Sequence, residues 1–417
     1  MVKQPLASSS SSSSTNWCLR LLAFGSLLVT LSVVYMATYM VFSPLSCHWS
    51  TSKSATSRRI ALIADPQMEG DTKVYHQGQY GLLNNYFNDY YFTLIFQNVH
   101  YFLQPDTIYM LGDLFSSQYV SNEEFDIRVE RYNRNFSGLF KWLNRLLQLR
   151  SGDLKEEEYL QKNVRSENSL RNLPFPYLVN LTGNHDIGYG IEASFFRVQR
   201  FIAAFGVQNR KDVILENGKK KVLAVTLNSM VLDGGEDKAE FKAAWEMVEQ
   251  VRKMKQEMKE DLEVLLFIHV PLHKPKGACV DRPYIRWSDG DDRLPIEQNM
   301  LSPRVSQLLL DQLKPKYIFN GHDHFGCKYQ HKEGTMEITV KSIQGDFAGN
   351  VGLFEVESKN GQFEYKYKDC EYYPTKVVVG FLGGVALWIV FVILVIVLRI
   401  VRFVLCCEFV PRKEKRD

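Results

Sequence analysis

The chain has 417 residues, 45% of them apolar and 23% charged, which is ordinary for a globular protein with one large or two medium domains. Its formal net charge is only +3, and no segment concentrates basic residues as a nucleic-acid-binding domain does. Nucleic acid is therefore excluded as an expected partner.

The first predicted element is an uncharged apolar stretch from Leu21 to Phe42. The residues before it, 1–20, include a run of serines and are expected to form a disordered cytosolic N-terminus. A helix of roughly 20 residues crosses a hydrocarbon layer about 30 Å thick. The stretch is either a signal peptide that is removed or a signal anchor that is retained, and its length favours a transmembrane anchor.

After a predicted linker over residues 43–59, short apolar runs alternate with amphipathic segments through residues 60–370. The first runs predict buried strands that end in Asp, Asn, Gly or His, at Ile60–Ala64, Thr107–Leu111, Tyr177–Leu181, Leu265–Ile268 and Tyr317–Phe319. Helices are predicted at Leu82–Leu103, Glu123–Leu149, Glu192–Phe205, Asp237–Lys259 and Pro303–Leu313. Adjacent strands follow at Met336–Ile343, Val351–Val356 and Phe363–Tyr367, with a polar surface insertion predicted earlier at Ser151–Asn172. This order predicts an α/β fold in which mixed sheets form a sandwich.

The last predicted element is a second uncharged apolar stretch, Val377 to Leu398, which is also long enough to span a bilayer. The residues that follow it, 399–417, are rich in Lys and Arg, which predicts a cytosolic tail and a multi-pass protein whose residues 60–370 lie in the lumen. Lys413 and Lys415 are either a dilysine-like retrieval signal for a vesicle coat or only part of the charge that sets the topology.

A lumenal location sets expectations for two residue types. One or two disulfides are expected, with the pairing left open, among Cys47, Cys279, Cys327 and Cys370. Asn135 and Asn180 both begin N-glycosylation sequons, and because Asn180 ends a predicted strand, Asn135 is the expected acceptor.

Five polar clusters follow predicted strands and carry the chemistry. In chain order they are Asp65-Pro66-Gln67, Gly112-Asp113, Gly183-Asn184-His185-Asp186, His269 to His273, and Gly321-His322-Asp323-His324. One such cluster would be uninformative, but five in order supply the oxygen and imidazole ligands that a pair of divalent cations requires.

The order and residue types of these clusters resemble the calcineurin-like metallophosphoesterase superfamily, whose pattern is D-x-H, G-D, G-N-H-[DE], H and G-H-x-H. The resemblance runs from about Ile60 to Val356 and implies a β-sandwich of two mixed sheets flanked by helices. It implies two divalent metal ions, with Asp113 bridging both. Asp65 and His324 would complete one site; the other would be completed by Asn184, His269 and His322.

Two cations that share a water lower its pKa, so that hydroxide can attack phosphorus in line near neutral pH. By the same resemblance, His185 is expected to protonate the leaving alkoxide and Asp186 to orient the His185 imidazole. Nitrogen and oxygen ligands together suit Mn, Fe or Zn better than Ca. Gln67 departs from the pattern, which has a histidine there. Its amide either coordinates a metal weakly or hydrogen-bonds a metal-bound water.

Asp65-Pro66-Gln67, the following Met68-Glu69-Gly70, apolar stretches at both ends and the basic tail resemble the metallophosphoesterase 1 branch of the superfamily, with its fungal relatives. That resemblance implies a Mn²⁺-dependent phosphodiesterase that removes the ethanolamine-phosphate side branch from the second mannose of glycosylphosphatidylinositol (GPI) anchors. It would promote export of GPI-anchored proteins and reside at endoplasmic reticulum exit sites, the ER–Golgi intermediate compartment and the cis-Golgi. The alternatives are the same chemistry on another lumenal phospholipid, nucleotide or phosphoprotein, and a scaffold without catalysis.

Three further residues are candidates for substrate binding. Asp289 and Asp291 lie in a loop that either receives the substrate ammonium or is a solvated acidic turn. His273 either touches the substrate phosphate or supports the residues that bind metal, and support is favoured.

Overall fold

The computed structural model describes residues 20, 23–32, 47–136, 177–190, 192–234, 239–288, 291–372 and 375–408. The chain divides into two compact units, one of residues 1–43 with 375–417 and the other of residues 44–374. The helices are α1 (Ala23–Ser32), α2 (Asp71–Asn98), α3 (Asn122–Phe136), α4 (Asn184–Ile187), α5 (Phe195–Phe205), α6 (Ala239–Met258), α7 (Pro303–Leu313) and α8 (Thr375–Glu408). The strands are β1 (Ser57–Ile63), β2 (Thr107–Met110), β3 (Tyr177–Asn180), β4 (Arg210–Asn217), β5 (Lys220–Thr226), β6 (Leu262–Phe267), β7 (Ile285–Ser288), β8 (Asp291–Gln298), β9 (Tyr317–Asn320), β10 (Cys327–Gln330), β11 (Met336–Thr339), β12 (Asn350–Lys359) and β13 (Gln362–Glu371).

Two mixed sheets form the framework of residues 44–374. The first has the strand order β13-β12-β1-β2-β3, in which β1, β2 and β3 are parallel and β12 and β13 are antiparallel. The second has the order β10-β11-β9-β6-β5-β4, with β11, β9, β6 and β5 parallel. A separate hairpin pairs β7 with β8. The predicted α/β fold with mixed sheets is confirmed.

The core lies between the two sheets, because alternate residues of each strand turn their side chains to the same face. Ile60 and Leu62 of β1 share one apolar cluster with Leu265 and Phe267 of β6. The rings of Tyr109 and Phe267 stack with centroids 3.8 Å apart, which joins the first sheet to the second. Truncating a ring of this kind to alanine typically costs about 3–5 kcal/mol.

Most predicted elements are present, and the differences have local causes. α7 matches its prediction because the Ser302 hydroxyl caps the helix and Pro303 occupies its first turn. α2 begins at Asp71 rather than Leu82, and Gly78 has a non-helical backbone (φ 55°, ψ −134°) that masks the helical pattern in the sequence. The strands β4 and β5 are not among those predicted. The insertion at residues 151–172 and the end of the predicted helix up to residue 149 lie outside the described residues.

Two disulfides settle the cysteine pairing that the sequence leaves open. Cys47 pairs with Cys370, and Cys279 pairs with Cys327. Cys47 is buried, and the amides of Ser50 and Thr51 donate to the carboxylate of Glu355. The predicted linker over residues 43–59 overlaps β1, which begins at Ser57, and the disulfide at Cys47 ties its described part to β13.

The expected glycosylation of Asn135 is also wrong for the folded chain. Asn135 is only 2% exposed, and its side-chain oxygen accepts a hydrogen bond from the Thr93 hydroxyl at 3.3 Å. Asn135 is buried on α3, so a glycan on its side chain has no room.

One helix among the described residues is long and apolar enough to cross a membrane. It is the Leu382–Val401 part of α8. The whole of α8 contains the second predicted span, Val377 to Leu398. α1, Ala23–Ser32, is apolar but too short, and the rest of the first predicted span lies outside the described residues. The C-terminal helix is a candidate membrane span, while the N-terminal anchor stays a prediction. Lys413 and Lys415 lie outside the described residues.

Candidate metal centre

The candidate ligands follow strands that are parallel within each sheet. Asp65 and Gln67 follow β1, Asp113 follows β2 and Asn184 follows β3 in the first sheet. In the second sheet, His269 follows β6, and His322 and His324 follow β9. Because parallel strands end at the same edge of a sheet, their carboxyl ends bring these side chains together.

The backbone at this edge adopts conformations that side chains normally avoid. Asp65, Gln67, Asp113 and His322 have φ values of 50°, 41°, 51° and 72°, and they are four of the nine described non-glycine residues with positive φ. Each such residue costs on the order of 1 kcal/mol or more. Glycine precedes His322 because a Cβ at Gly321 would lie 2.7 Å from the Asp65 carboxylate. Such strain concentrates at functional sites.

Asp113 is at the centre of the cluster. His269 Nε2 lies 3.3 Å from Asp113 Oδ1 and 3.2 Å from Asn184 Oδ1. One ligand atom from each of Asp113, His269 and His322 lies within 4.8 Å of the others. This is the predicted second metal site, and its donors are close enough to bind one ion.

The hydrogen bonds of the two histidines show that this donor set fits a cation. A carbonyl oxygen can only accept, so His269 Nδ1 donates to Leu111 and His322 Nε2 donates to Gln298, at 2.7 and 3.0 Å. Burial lowers the pKa of both imidazoles, that of His322 to about 3, so both rings are neutral. His269 Nε2 then turns a lone pair toward the oxygens of Asp113 and Asn184. A cation removes that repulsion.

Asp65 forms the second half of the cluster. Its carboxylate accepts from the backbone amide of His322 at 3.0 Å, and His324 Nε2 lies 4.0 Å from Asp65 Oδ1. Burial and then the charge of Asp113 raise the pKa of Asp65 well above its usual range. Two buried acids and a neutral imidazole leave uncompensated negative charge here, which a second divalent cation would neutralise.

Gln67 is hydrogen-bonded at both ends of its amide. Its nitrogen donates to Asp113 Oδ2 at 3.0 Å, and its oxygen accepts from Gln344 Nε2 at 3.1 Å. This orientation turns the nitrogen, which cannot coordinate a metal, toward Asp113. It favours the hypothesis that Gln67 acts by hydrogen bonding.

His185 faces the open side of the cluster. Its backbone amide donates to Asp113 Oδ1 at 2.9 Å, its Nε2 lies 3.9 Å from Asp113 Oδ2, and its side chain is 40% exposed. An exposed imidazole beside buried candidate ligands can reach a leaving group, as the predicted proton donor must.

The predicted contact between Asp186 and the His185 imidazole is not the one found. The Asp186 carboxylate accepts from the backbone amides of Leu114, Phe115 and Gly183 at 2.8–3.2 Å. Neighbouring side chains on a helix do not face each other, and both residues lie on α4. Asp186 thus ties the loop after β2 to the loop after β3, and it positions backbone rather than the imidazole.

The predicted substrate residues are only partly described. His273 is half-buried, and the bond described for it runs from its backbone amide to the Ser306 hydroxyl at 2.8 Å. Asp289 lies outside the described residues, and only the backbone of Asp291 is described, at the start of β8. Substrate contacts by these residues stay predictions.

Several residues that hold the cluster had no motif to reveal them. The Ser342 hydroxyl donates to the carbonyl of Asp65 at 2.9 Å, and the Ser229 hydroxyl accepts from the amides of His269 and Val270 at 3.1 and 3.0 Å. Gln344 holds Gln67. These residues lie in loops or short turns, and the sequence around them contains no motif that would identify them.

A second buried acid cluster lies behind the loops that carry the histidines. Glu337 on β11 accepts from Lys274 Nζ, Asn320 Nδ2 and the Leu272 amide at 2.7–3.0 Å. Its other oxygen lies 2.6 Å from His331 Nε2. Lys274 follows the His269 loop and Asn320 precedes Gly321, so Glu337 fixes both loops to one strand.

The chain is similar to several known proteins. A family model described as calcineurin-like phosphoesterase matches residues 58–326, which contain every candidate ligand. Protein TED1 of Saccharomyces cerevisiae is 29% identical over 425 residues, covering 79% of this chain and 88% of that protein. Metallophosphoesterase 1 of Mus musculus is 22% identical over 343 residues, covering 76% and 74%. A solved dimetal phosphatase from Danio rerio is 12% identical, covering 76% of this chain and 99% of that one, with a TM-score of 0.38.

Proposed function

Since the chain belongs to the calcineurin-like phosphoesterase family, we propose that it is a phosphodiesterase that removes the ethanolamine-phosphate side branch from the second mannose of GPI anchors. Metal-dependent phosphoester hydrolysis is the activity of this family. The observation that carries it is the meeting of Asp113, His269 and His322 donor atoms within 4.8 Å. What we propose beyond the family activity is that the bond is a phosphodiester and that the substrate is a GPI glycan.

The residues of the cluster have separate tasks in this reaction. Two divalent cations, when bound, activate water for in-line attack and neutralise charge on the phosphoryl oxygens. Asp113 lies between the two donor sets, and burial keeps His269 and His322 neutral so that their lone pairs stay available. As the phosphorus–oxygen bond to mannose breaks, His185 delivers a proton to the departing sugar oxygen. Mn²⁺ is the proposed ion, because nitrogen and oxygen donors occur together.

Three features support the substrate and the compartment. The relatives include proteins named Metallophosphoesterase 1, and the branch resemblance of Asp65 to Gly70 implies the GPI substrate. α8 can span a bilayer, and it follows β13 along the chain after three residues. Two disulfides suit an oxidising lumen. We therefore propose a lumenal catalytic unit at endoplasmic reticulum exit sites, the ER–Golgi intermediate compartment and the cis-Golgi, with the tail engaging a vesicle coat.

Purified full-length chain in detergent with Mn²⁺ tests the substrate. It should release ethanolamine phosphate from a GPI glycan that carries the side branch, and it should prefer bis(p-nitrophenyl) phosphate to p-nitrophenyl phosphate. Preference for the monoester, or an untouched glycan beside a hydrolysed small diester, would assign the chemistry to another lumenal phosphoester. Cells without the protein should export GPI-anchored proteins slowly.

His185→Asn tests the proton donor. A sugar alkoxide needs a proton to leave, whereas p-nitrophenolate does not, so glycan cleavage should fall by about 10²–10⁴-fold while hydrolysis of the nitrophenyl diester changes little. His76→Asn, at an exposed histidine of α2, is the matched control. Equal losses on both substrates would contradict the proposed role of His185.

A further inference from the structure

A cleft of about 470 Å³ lies between the loop that follows Asp113 and the start of α5. One wall continues the chain from Asp113, and the other continues it from His185 through the turn before α5. Its principal lining residues are Gln118, Tyr119, Asn122, Phe196, Arg197 and Arg200. None of them belongs to the candidate metal centre.

Two arginines line the cleft, and the charge of Asp126 acts on one of them, Arg200. Among the described residues, neither Arg197 nor Arg200 forms an ion pair with a carboxylate. Arg197 donates to the Glu192 carbonyl at 2.9 Å, and Arg200 donates to the Val120 carbonyl and to Asn122 Oδ1, both at 3.2 Å. The Nε of Arg200 is buried without a hydrogen-bond partner. An unsatisfied buried donor is costly.

The acid nearest to these arginines along the chain is already engaged. The carboxylate of Glu192 accepts from Gln118 Nε2 at 3.0 Å and from the Tyr119 hydroxyl. Those bonds join the two walls of the cleft, and the described structure shows no ion pair between Glu192 and either arginine. Arginine is well suited to phosphate because its planar group offers paired donors.

Aromatic rings stand beside the cations. Tyr119 and Phe196 are 65% and 57% exposed. The Arg197 guanidinium lies 5.0 Å from the Tyr119 ring, and that of Arg200 lies 5.7 Å from the Phe196 ring and 4.2 Å from Phe125. Flat apolar faces with a few placed polar groups are typical of ligand sites, and an exposed ring can stack on the C–H face of a sugar.

We propose that this cleft binds a phosphorylated sugar of the glycan substrate, with Arg197 and Arg200 contacting a phosphate other than the one that is hydrolysed. Tyr119 and Phe196 lie against the sugar ring. Its walls continue the chain from Asp113 and His185, and we place the reacting phosphate of the same glycan at the metal centre. The assignment rests on the proposed function and adds the means by which a small diester is distinguished from a glycan.

Steady-state kinetics of the full-length chain in detergent with Mn²⁺ test the cleft. Arg197→Gln should raise KM for the GPI glycan by about 10–100-fold, as expected for the loss of a charged hydrogen bond. Both kinetic constants for bis(p-nitrophenyl) phosphate should stay at the wild-type values. Arg197→Lys, which keeps the charge, should recover part of the loss. Arg252→Gln, on α6 and paired with Glu249, is the control.

Arg200 has structural bonds, so Arg200→Lys is used beside Arg200→Gln and thermal unfolding is measured for both. An unchanged glycan KM in Arg197→Gln overturns the proposal, and so does a parallel loss on both substrates, which would assign the arginine to the fold. A second arm is independent of the glycan. Inorganic phosphate titrated into the EDTA-treated chain should bind the wild type and not the Arg197→Gln variant. If the wild type cleaves the small diester but no glycan while this phosphate binding holds, the proposed substrate fails and the anion site stands.

Discussion

Two buried clusters of acids and histidines lie in the catalytic unit, and they differ in what neutralises their charge. Around Glu337, the protein supplies its own cation, Lys274, at 2.7 Å. Around Asp65 and Asp113, the described residues supply neutral imidazoles and backbone amides but no lysine or arginine within ion-pair distance. The first arrangement is complete as it stands and fixes loops. The second is complete only with a cation from solution.

The pKa shifts express the same difference. Burial raises the pKa of Glu337, but Lys274 and His331 lower it more, so this acid stays charged. Burial and then the charge of Asp113 both raise the pKa of Asp65. Asp65 is therefore the buried acid whose charge the described residues leave uncompensated.

Among variants that compare the two clusters, the largest expected effect comes from Asp113→Asn, which keeps the shape of the side chain and removes the shared charge. Hydrolysis of bis(p-nitrophenyl) phosphate with Mn²⁺ should fall by about a thousandfold, which corresponds to several kcal/mol of lost transition-state stabilisation. Asp311→Asn, at an exposed residue of α7, should be as active as the wild type. A variant that keeps most of its activity would place the chemistry elsewhere.

Glu337→Gln should act on stability rather than on chemistry. It leaves Lys274 buried without its carboxylate, at a cost of about 3 kcal/mol, which would lower the melting temperature of the full-length chain by about 6 °C. The loss should be the same with and without Mn²⁺. Glu364→Gln, exposed on β13, is the control. A loss of melting temperature that appears only with metal would contradict the separation of the two clusters.

Asp65→Asn should have the opposite effect to Glu337→Gln: it should weaken stabilisation by metal without lowering the stability of the metal-free protein. Mn²⁺ at about 100 times its dissociation constant stabilises a folded protein by about 2.7 kcal/mol, or about 5 °C here. The wild type should show this rise, and Asp65→Asn should show much less. Without metal, the variant should melt no lower than the wild type, because one of two facing acids is gone. If metal-free Asp65→Asn melts clearly lower than the metal-free wild type, the hypothesis of an uncompensated charge at Asp65 is wrong.

Gln344→Ala gives the smallest expected change. It removes the donor that holds the Gln67 oxygen, and indirect partners of a metal site typically contribute about tenfold in activity or metal affinity. The melting temperature should not change. Gln362→Ala, at the exposed start of β13, is the control. An activity equal to that of the wild type would show that Gln67 needs no orientation.

The sequence indicated the ligands well because each is a side chain at the tip of a parallel strand. His269 and His322 could be assigned to one ion from their motifs alone, and the structure brings their donor atoms together. The motifs could not show which nitrogen binds. That depends on the carbonyls of Leu111 and Gln298, and backbone atoms leave no mark in a sequence.

The remaining differences arise where neighbours along the chain are not neighbours in space. Asp186 follows His185, yet the turn of α4 points it at amides after β2. Gln344 reaches Gln67 across a separation of 277 residues, and no spacing rule predicts such a contact. Arg197 and Tyr119 likewise meet only because α5 folds against the loop after β2.

The bond between Cys47 and Cys370 gathers both ends of the catalytic unit, with 5.5 Å between their Cα atoms. A single protease cut anywhere between these cysteines therefore leaves two fragments that separate only after reduction. Ends this close also suit transplantation, since the unit could be inserted into a surface turn of an unrelated carrier protein without stretching either junction.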